Sequence, residues 1–388
     1  MKSLSSVIHN LKQSDIRAVT AMVNEVNGIN LGQGICDLPT PQPIRDGAKQ
    51  AIDENRSIYS PLGGIEELKE NVLAKVRDFN KLPAASTQEI MISVGSTGGF
   101  VTAMFALIEP GDEVILFEPF YGYHRNLLNL LQVKEKVIPM RGPDWDIDFD
   151  ELERAITSET KAIVINTPAN PCGKVWRRDE LQSVLELLQK HDLFAITDEV
   201  YEYMTYGNHR HTSLASLPDA FERTITLSSF SKTFNMTGWR LGFAAGPESI
   251  IQKMGLLNDL FYICAPTPLQ HGVNKGFSMN REYYDGMRKD YDVKRTMMCE
   301  ALERAGFDVP WPQGAYYAFV NFKALSKKYD GFSGDKEACE TLIRKTGVAP
   351  VPGNSFFADP EDGRYFLRFC FAKEMDVLKE ACRRLVQF

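Results

Sequence analysis

The 388-residue chain has no long hydrophobic run and no apolar signal segment. A helix that spans a bilayer needs roughly 18 or more consecutive apolar residues, and no stretch of the sequence approaches that length. The N-terminal sequence MKSLSSVIHNLKQSD also lacks the apolar core of a secretory signal. We therefore expect a cytoplasmic protein without membrane contacts.

Basic residues are in deficit. The chain carries 44 lysines and arginines against 51 aspartates and glutamates, which gives a formal net charge of −7. Proteins that bind nucleic acid need a basic surface to neutralise the phosphates. The acidic balance therefore argues against a nucleic-acid partner.

Paired cysteines and clustered histidines are absent from the sequence. The seven cysteines lie far apart and include no C-x-x-C pair, which favours reduced, buried thiols over disulfides. The only close histidine pair is His209 and His211, which lie in a polar segment. Two histidines there are too few to indicate a metal site, so we expect no metal cofactor.

The sequence contains no internal repeat, and its middle part alternates short apolar runs with helical patterns. Short, fully apolar strands separated by helices are typical of a parallel sheet covered on both faces. The sequence therefore predicts an α/β fold. The predicted strands are EIMISV (89–94), DEVILF (112–117), KAIVIN (161–166), LFAITDEV (193–200) and RTITLSSF (223–230).

The C-terminal part of the chain has a different pattern. GAYYAFVNF (314–322) and YFLRFCFA (365–372) are typical of strands in a smaller sheet, and DKEACETLIRKTG (335–347) indicates a helix. We therefore predict two domains, one large with a mostly parallel sheet covered by helices and one smaller of α+β type. Their predicted bounds are 47–280 for the large domain and 1–46 with 281–388 for the small domain.

Chemically useful residues follow four of the apolar runs. In open parallel sheets, ligands bind at the carboxyl ends of the strands. The first run leads into GSTGG, where a glycine-rich turn and a helix start would form an anion site, with hydroxyl donors from Ser96 and Thr97. The pattern matches neither common glycine-rich nucleotide motif, and a plain tight turn remains the alternative.

Two further runs end in polar residues. Asn170 follows the third strand in NTPANPCG, where two X-Pro pairs favour an extended turn, although Asn170 is alternatively a turn residue bonded to its own backbone. Asp198 closes an apolar strand, where a buried carboxylate needs a cationic partner unless it caps a helix. Tyr201 lies three residues later and is either a site residue or part of the core.

The fourth run leads into SSFSKTFNMTGWRLG (228–242). Lys232 lies among serines, and no other charged residue precedes Arg240 in this stretch. A lysine at a strand end is partly desolvated, which lowers its pKa and makes it a usable amine nucleophile. Ser229 and Arg240 are candidate anion ligands, and the alternative is a lysine in a surface loop.

Together, the four strand ends place an amine, a carboxylate and a phosphate cradle at one edge of one sheet. Pyridoxal 5′-phosphate requires this combination. Its aldehyde needs a lysine, its ring nitrogen needs an acid, and its phosphate needs a helix N-terminus, hydroxyls and an arginine. The sequence therefore predicts an enzyme that uses this cofactor.

The sequence resembles the fold-type I, class I/II aminotransferases from about residue 31 to 373. Residues 228–242 are similar to the family signature S-x-S-K-x-(aromatic)-x-M-x-G-W-R-x-G. Thr167 and Cys36 each replace a proline of the family pattern. The other similar segments are LGQGICDLPTP (31–41), YSPLGGIEELKE (59–70), NTPANPCG (166–173), TDEVYEYM (197–204) and YFLRFCFA (365–372).

The resemblance implies a role for each matching cofactor residue. Lys232 would form the Schiff base and later move a proton, and Asp198 would bind the ring nitrogen. Tyr201 and Asn170 would hydrogen-bond the phenolic oxygen of the ring. The remaining implied contacts are four to the phosphate and one to the ring face: Ser96, Thr97, Ser229 and Arg240 for the phosphate, and Tyr121 for the ring.

The resemblance also implies the substrate clamp and the assembly. Arg368 would bind the α-carboxylate of the substrate in a bidentate pair, assisted by the Gly34 backbone and by Asn170. Tyr59 would reach the phosphate of a neighbouring subunit. The active form would therefore be a homodimer with shared sites.

The implied activity is that of an aminotransferase, EC 2.6.1 class, in which an amino acid and a 2-oxo acid react in turn by a ping-pong mechanism. Residues 258–272, where the family often reads the substrate side chain, contain no arginine. Their composition favours neutral, apolar or aromatic amino acids, as in the kynurenine, methionine and aromatic aminotransferases. A pyridoxal-phosphate C–S lyase acting by β-elimination is the alternative.

Two competing hypotheses do not involve pyridoxal-phosphate catalysis. Ser229 to Lys232 is also S-x-x-K, and S-x-N and K-T-G motifs follow it as in serine acyl enzymes, but Ser229 ends an apolar strand and K-T-G ends a helix. A non-catalytic regulator of this fold would carry a DNA-binding domain. The roughly thirty residues before the matched region leave no room for one.

Overall fold

A computed structural model describes residues 5–8, 16–34 and 36–388 of the chain. Most of the N-terminal sequence considered above for a signal segment lies outside these residues. The described residues form thirteen α-helices, numbered along the chain: α1 (Ile16–Glu25), α2 (Gln42–Asp53), α3 (Glu66–Asp78), α4 (Gly95–Leu107), α5 (Gly122–Leu130), α6 (Phe149–Ala155), α7 (Arg178–Lys190), α8 (Phe230–Thr233), α9 (Glu248–Tyr262), α10 (Thr267–Gly276), α11 (Arg281–Arg304), α12 (Asp335–Thr346) and α13 (Met375–Val386).

The strands of the described residues form three sheets. The largest has seven strands in the order β2-β8-β7-β6-β5-β3-β4, and the others have the orders β11-β12-β9 and β1-β10. The strands, numbered along the chain, are β1 (Ile29–Asn30), β2 (Ile90–Val94), β3 (Glu113–Glu118), β4 (Lys134–Pro139), β5 (Thr160–Asn166), β6 (Phe194–Asp198), β7 (Thr224–Ser229), β8 (Leu241–Ala245), β9 (Tyr317–Asn321), β10 (Val348–Ala349), β11 (Val351–Pro352) and β12 (Phe366–Cys370).

The seven-stranded sheet is parallel except at β8. That strand runs antiparallel to β2 on one side and to β7 on the other, while the pairs among β3, β4, β5, β6 and β7 are parallel. A mostly parallel sheet with intervening helices confirms the predicted α/β fold class.

Both faces of this sheet are buried. On β3, Val114 and Leu116 belong to a core that includes residues of α4 and α9, whereas Ile115 and Phe117 belong to a core that includes residues of α7. Successive side chains of a strand point to opposite faces, so a sheet covered on both sides needs apolar residues at every position. This explains the uninterrupted apolar runs in the sequence.

Two strands of the sheet were missing from the sequence prediction. β4 lies at the sheet edge and has the sequence KEKVIP, whose charged residues are partly exposed. β8 has the sequence LGFAA, which is short and rich in small residues. GSTGG was expected as a turn before a helix, but α4 begins at Gly95, so these residues form the first turn and a half of the helix.

The C-terminal part contains the predicted smaller sheet. β9 and β11 both pair antiparallel with β12, and β1 pairs in parallel with β10, which joins the N-terminal segment to the C-terminal part. This pairing supports the proposed small domain of residues 1–46 with 281–388, and the bounds of both domains stay a prediction.

Within the part of the chain that the structure describes, no helix has both the length and the apolar character that a membrane crossing requires.

Candidate active site

The predicted site residues follow the carboxyl ends of the parallel strands, at one edge of the large sheet. α4 begins directly after β2, β6 ends at Asp198, and β7 ends at Ser229, three residues before Lys232. Because β8 runs in the opposite direction, it begins at this edge, directly after Arg240. The topology therefore brings Arg240 to the same edge as the other residues.

Lys232 lies in the short helix α8 and is partly buried. Its Nζ donates a hydrogen bond to the backbone oxygen of Gly34 at 3.3 Å and lies 5.7 Å and 5.4 Å from the ring centroids of Tyr201 and Tyr316. Burial disfavours the ammonium form and lowers the pKa of Lys232 to about 8. At pH 7 about a tenth of the Lys232 amine is therefore neutral and nucleophilic, far more than for a lysine with the usual pKa of about 10.4.

Asp198 is buried, and only one of its two carboxylate oxygens has a hydrogen-bond partner among the described residues. Its Oδ2 lies 3.2 Å from Nε2 of His124, whereas its Oδ1 is buried without a hydrogen-bond partner among the described residues. A buried carboxylate oxygen without a hydrogen bond costs folding free energy, so a ligand that donates a hydrogen bond to Oδ1 would stabilise the site. The protonated nitrogen of a pyridine ring is such a donor, and the site fits pyridoxal phosphate in this respect.

His124 is a site residue that the sequence prediction missed. It lies in the first turn of α5, three residues after Tyr121, and it is buried. Its ring also packs against Phe100, with centroids 4.5 Å apart. The three-residue spacing from Tyr121 places both side chains on one side of a helix start, which is the sequence signal that could have identified it.

The start of α4 and the start of β8 form an anion cradle. The hydroxyls of Ser96 and Thr97 form no hydrogen bond to other described residues, and the first backbone N–H groups of a helix are free for an anion. A Cβ at Gly95 would lie 2.5 Å from Nη2 of Arg240, so the glycine lets the guanidinium approach the helix. These groups fit a phosphate.

Ser229, predicted as a phosphate ligand, has backbone hydrogen-bond partners in this structure, and its role at the phosphate stays a prediction. Its Oγ accepts a hydrogen bond from the backbone N–H of Ser231 at 3.1 Å and donates one to the carbonyl of Leu241 at 3.2 Å. Ser229 is therefore the last residue of β7 and also the N-cap of α8. The prediction that Ser229 ends an apolar strand is confirmed, and Ser229 in addition caps the short helix α8.

Arg368 is buried without an acidic partner among the described residues. Its Nη1 donates to Oδ1 of Asn170 at 2.7 Å, its Nη2 donates to the carbonyl of Gly32 at 2.8 Å, and its Nε is buried without a partner. The guanidinium stacks on Tyr317 at 4.2 Å and on Phe356 at 5.1 Å. A buried cation without a counter-charge favours an anionic ligand such as a carboxylate.

Tyr201 and Gly34 lie beside Lys232 in a cluster of tyrosines. The hydroxyl of Tyr201 is 3.2 Å from that of Tyr317, and Tyr316 donates its hydroxyl proton to the Gly34 carbonyl at 2.9 Å. Gly34 contributes its carbonyl to Lys232 and Tyr316. Tyr316 and Tyr317 were expected only as strand residues, because nothing in their local sequence indicates which distant residues they contact.

Tyr121 lines a cavity of about 190 Å³ together with Ser96, Thr97 and Asp198, so three predicted groups of site residues share one space. Tyr59, in contrast, is 78% exposed, and a role for it requires a second chain. A larger groove of about 970 Å³ between α11 and α13 contains none of the predicted site residues.

One group of possible metal ligands lies beside this site. Glu199, Glu202 and His211 have ligand atoms within 4.8 Å of one another. Nζ of Lys75 is 2.5 Å from Glu202, Nε2 of His211 is 2.8 Å from Glu199, and the amide of Asn80 donates to Glu202 at 2.8 Å. The lysine already supplies a cation, so the group is a buried ion network, and His211 is more buried than its polar segment suggested.

Comparison with known proteins is consistent with this geometry. The family model of aminotransferase class I and II matches residues 26–385. Aspartate aminotransferase of Pyrococcus abyssi is 35% identical over 92% of this chain and 90% of its own length, and kynurenine–oxoglutarate transaminase 3 of Mus musculus is 32% identical over 93% and 85%. The structure of YbdL from Escherichia coli, described with a methionine aminotransferase function, superimposes with a TM-score of 0.94 at 27% identity and covers 100% of both chains.

Proposed function

Since the chain belongs to the class I and II aminotransferases, which are pyridoxal-phosphate-dependent enzymes of the EC 2.6.1 type, we propose that its donors are neutral, apolar or aromatic amino acids and that a 2-oxo acid is the acceptor. The site assignment rests on three ionisable groups that lack an ionic or hydrogen-bond partner of the kind they need. These are the Lys232 amine with its lowered pKa, the unpartnered Oδ1 of Asp198 and the Arg368 guanidinium without a counter-ion.

Pyridoxal phosphate, when bound, supplies an aldehyde that reacts with amines and a ring that accepts electrons from the substrate carbon. Lys232 offers a neutral Nζ that can take up and return a proton. Oδ1 of Asp198 would hold a proton on the ring nitrogen, while His124 lies 3.2 Å from Oδ2 and fixes the carboxylate. Ser96, Thr97 and the positive charge of Arg240 would bind the phosphate.

The substrate side of the site is built around Arg368. Its two Nη atoms donate to the side-chain amide oxygen of Asn170 and to the backbone carbonyl of Gly32, which are neutral acceptors. A substrate carboxylate is a charged acceptor and would form stronger hydrogen bonds with the guanidinium. The rings of Tyr317 and Phe356 flank the guanidinium and exclude water from it. We assign Arg368 to the α-carboxylate.

The preference for neutral or aromatic side chains has two supports. Residues 258–272 contain no arginine that could bind a second carboxylate. Proteins similar to this chain include an aromatic-amino-acid aminotransferase and kynurenine transaminases, although an aspartate aminotransferase is also among them.

We further propose that the enzyme is a homodimer. Leu260 and Phe261 of α9 are 74% and 41% exposed, and the ring centroid of Phe105 lies 5.1 Å from that of Phe261, so these residues form a continuous apolar patch. Apolar patches of this kind mark protein interfaces. Tyr59, exposed on the loop before α3, would reach the phosphate in the site of the other subunit.

A cytoplasmic location and the absence of a nucleic-acid partner complete the proposal. None of the seven cysteines forms a disulfide in the described part of the chain, which supports a reducing compartment. The net charge of −7 supports the second point, since a phosphate backbone would be repelled.

The experiment is a spectroscopic screen of the purified pyridoxal form. Each amino acid is added singly, and conversion to the spectrum of pyridoxamine phosphate marks a donor. We expect conversion with neutral, apolar or aromatic amino acids. Conversion only with aspartate or glutamate would overturn the proposed preference. Release of a thiol and ammonia from cysteine conjugates without pyridoxamine formation would instead indicate the C–S lyase.

A Lys232→Ala variant serves as the control for this screen. It should keep part of its affinity for the cofactor, because the phosphate cradle and Asp198 are unchanged, but it should not turn over. Normal transamination by this variant would show that another residue carries the reaction.

A further inference from the structure

Tyr317 connects the substrate clamp to the cofactor residues, and the roles assigned above use its ring but not its hydroxyl. It is the first residue of β9 and is 2% exposed. In the pairing of β9 with β12, Tyr317 lies opposite Cys370 and Phe319 lies opposite Arg368. Tyr317 and Arg368 are therefore diagonal neighbours on one face of the sheet.

The ring of Tyr317 is held from two sides. The guanidinium carbon of Arg368 lies 4.2 Å from its centroid, and the ring of Tyr316 packs against it at 4.8 Å with an interplanar angle of 61°. A buried ring fixed in this way cannot move its hydroxyl away from the site.

The hydroxyl of Tyr317 is directed at Tyr201. The two oxygens are 3.2 Å apart, and both residues are buried. A Cβ at Gly34 would lie only 2.0 Å from the hydroxyl oxygen of Tyr317, so a glycine at position 34 is what leaves room for this contact.

Only one proton can lie between two hydroxyl oxygens, so one tyrosine must donate and the other accept. The guanidinium of Arg368 stacks on the ring of Tyr317 at 4.2 Å, and this positive charge polarises the Tyr317 O–H group toward donation.

We propose that Tyr317 is a positioning residue for transamination: its hydroxyl donates to the Tyr201 oxygen and leaves the Tyr201 proton free to point at the phenolic oxygen of bound pyridoxal phosphate. This inference rests on the proposed roles of Tyr201 and Lys232. A donor at the phenolic oxygen favours its ionised form, so it lowers the pH at which the absorbance of the bound cofactor changes. A second hydroxyl that donates to the first strengthens this effect by polarisation.

The test is a pH titration of the visible absorbance of the holoprotein in four forms: wild type, Tyr317→Phe, Tyr201→Phe and the double variant. We expect Tyr317→Phe to raise the midpoint by roughly half a pH unit, which corresponds to the free energy of a weak second hydrogen bond. Tyr201→Phe should raise the midpoint further. Because Tyr317 acts only through Tyr201, the double variant should have the same midpoint as Tyr201→Phe.

The matched control is Tyr206→Phe. Tyr206 is buried in the same core as Tyr317, but its hydroxyl donates to the carbonyl of Ala315. Its loss should leave the midpoint unchanged, although it removes one buried hydroxyl as the Tyr317 variant does.

A second variant, Gly34→Ala, tests the same contact in case Tyr317→Phe does not fold. Gly34→Ala displaces the Tyr317 hydroxyl and should also raise the midpoint. The inference about Tyr317 would be overturned if Tyr317→Phe and Gly34→Ala both had the midpoint of the wild type. It would also be overturned if the shift in the double variant equalled the sum of the Tyr317→Phe and Tyr201→Phe shifts. If the wild type itself takes up no pyridoxal phosphate, the proposed function fails, and this outcome is distinguishable because it needs no variant.

Discussion

Three ionisable side chains at the site are buried or half-buried without the partner that a purely structural role requires. Lys232 has no acidic neighbour within hydrogen-bond reach among the described residues, Asp198 has a free buried oxygen, and Arg368 bonds only neutral acceptors. Each of these arrangements costs folding free energy. The cost is offset when an aldehyde, a pyridine N–H and a carboxylate occupy the three positions.

The lowered pKa of Lys232 predicts how cofactor uptake depends on pH. Only the neutral amine reacts with the aldehyde, and burial shifts its pKa downward to about 8. Below pH 8 the uptake rate of the apoprotein should rise about tenfold per pH unit and above it should level off. Stopped-flow absorbance measures this profile, and a rate still rising steeply beyond pH 9 would contradict the shift.

The guanidinium geometry of Arg368 predicts the effect of a charge-conserving substitution. Arg368→Lys keeps the positive charge but loses the planar pair of donors, so KM for the amino-acid donor should rise about 30-fold, equivalent to about 2 kcal/mol. The affinity for pyridoxal phosphate should change little. The control is Arg364→Lys on the exposed segment before the same strand, and an unchanged KM in Arg368→Lys would rule out the clamp.

Residues with a local signature could be predicted from the sequence, whereas residues defined by distant contacts could not. Lys232, Asp198 and Arg240 lie in motifs whose spacing already indicates their chemistry. His124 and Tyr317 act through Asp198 and Tyr201, which lie 74 and 116 positions away in the sequence. The spacing of His124 from Tyr121 indicates that the two side chains share one side of a helix, but its contact with Asp198 and the contact of Tyr317 with Tyr201 depend on the tertiary fold.

At the scale of elements, the antiparallel strand β8 and the start of α4 build the phosphate cradle. The parallel strands were predictable because both faces of the sheet are buried, so each strand is a continuous apolar run. β8 was not predicted, because LGFAA is short and dominated by small residues. Its direction places Arg240, in a left-handed conformation with φ of 58°, beside Gly95.

This contact predicts a difference between two glycine substitutions. Gly95 has φ of +65° and a Cβ there would collide with Arg240, whereas Gly111 has φ of +99° and a Cβ there would meet nothing within 4 Å. Both Gly95→Ala and Gly111→Ala should lose about 1 kcal/mol or more of stability from backbone strain. Only Gly95→Ala should weaken cofactor binding.

Thermal unfolding and equilibrium titration of the apoproteins with pyridoxal phosphate measure the two effects separately. Equal cofactor affinity in Gly95→Ala and Gly111→Ala would show that the contact between α4 and Arg240 does not shape the phosphate site.

At the scale of the whole molecule, the exposed apolar patch on α9 predicts the oligomeric state. A charge introduced at Leu260 would have to be buried in the proposed dimer interface. Leu260→Glu should therefore sediment as a monomer and lose activity, while the wild type sediments as a dimer. The matched control is Val293→Glu on α11, where the replaced valine is 54% exposed and lies outside this patch. A wild-type monomer with full activity would contradict the shared site.

Borohydride reduction shows directly whether the cofactor is attached covalently to Lys232. The reduced holoprotein is digested and its peptides are analysed by mass spectrometry. We expect one phosphopyridoxyl adduct, on Lys232, and none in Lys232→Ala. An adduct confined to a different lysine, or a holoprotein that yields no reduced adduct, would contradict it.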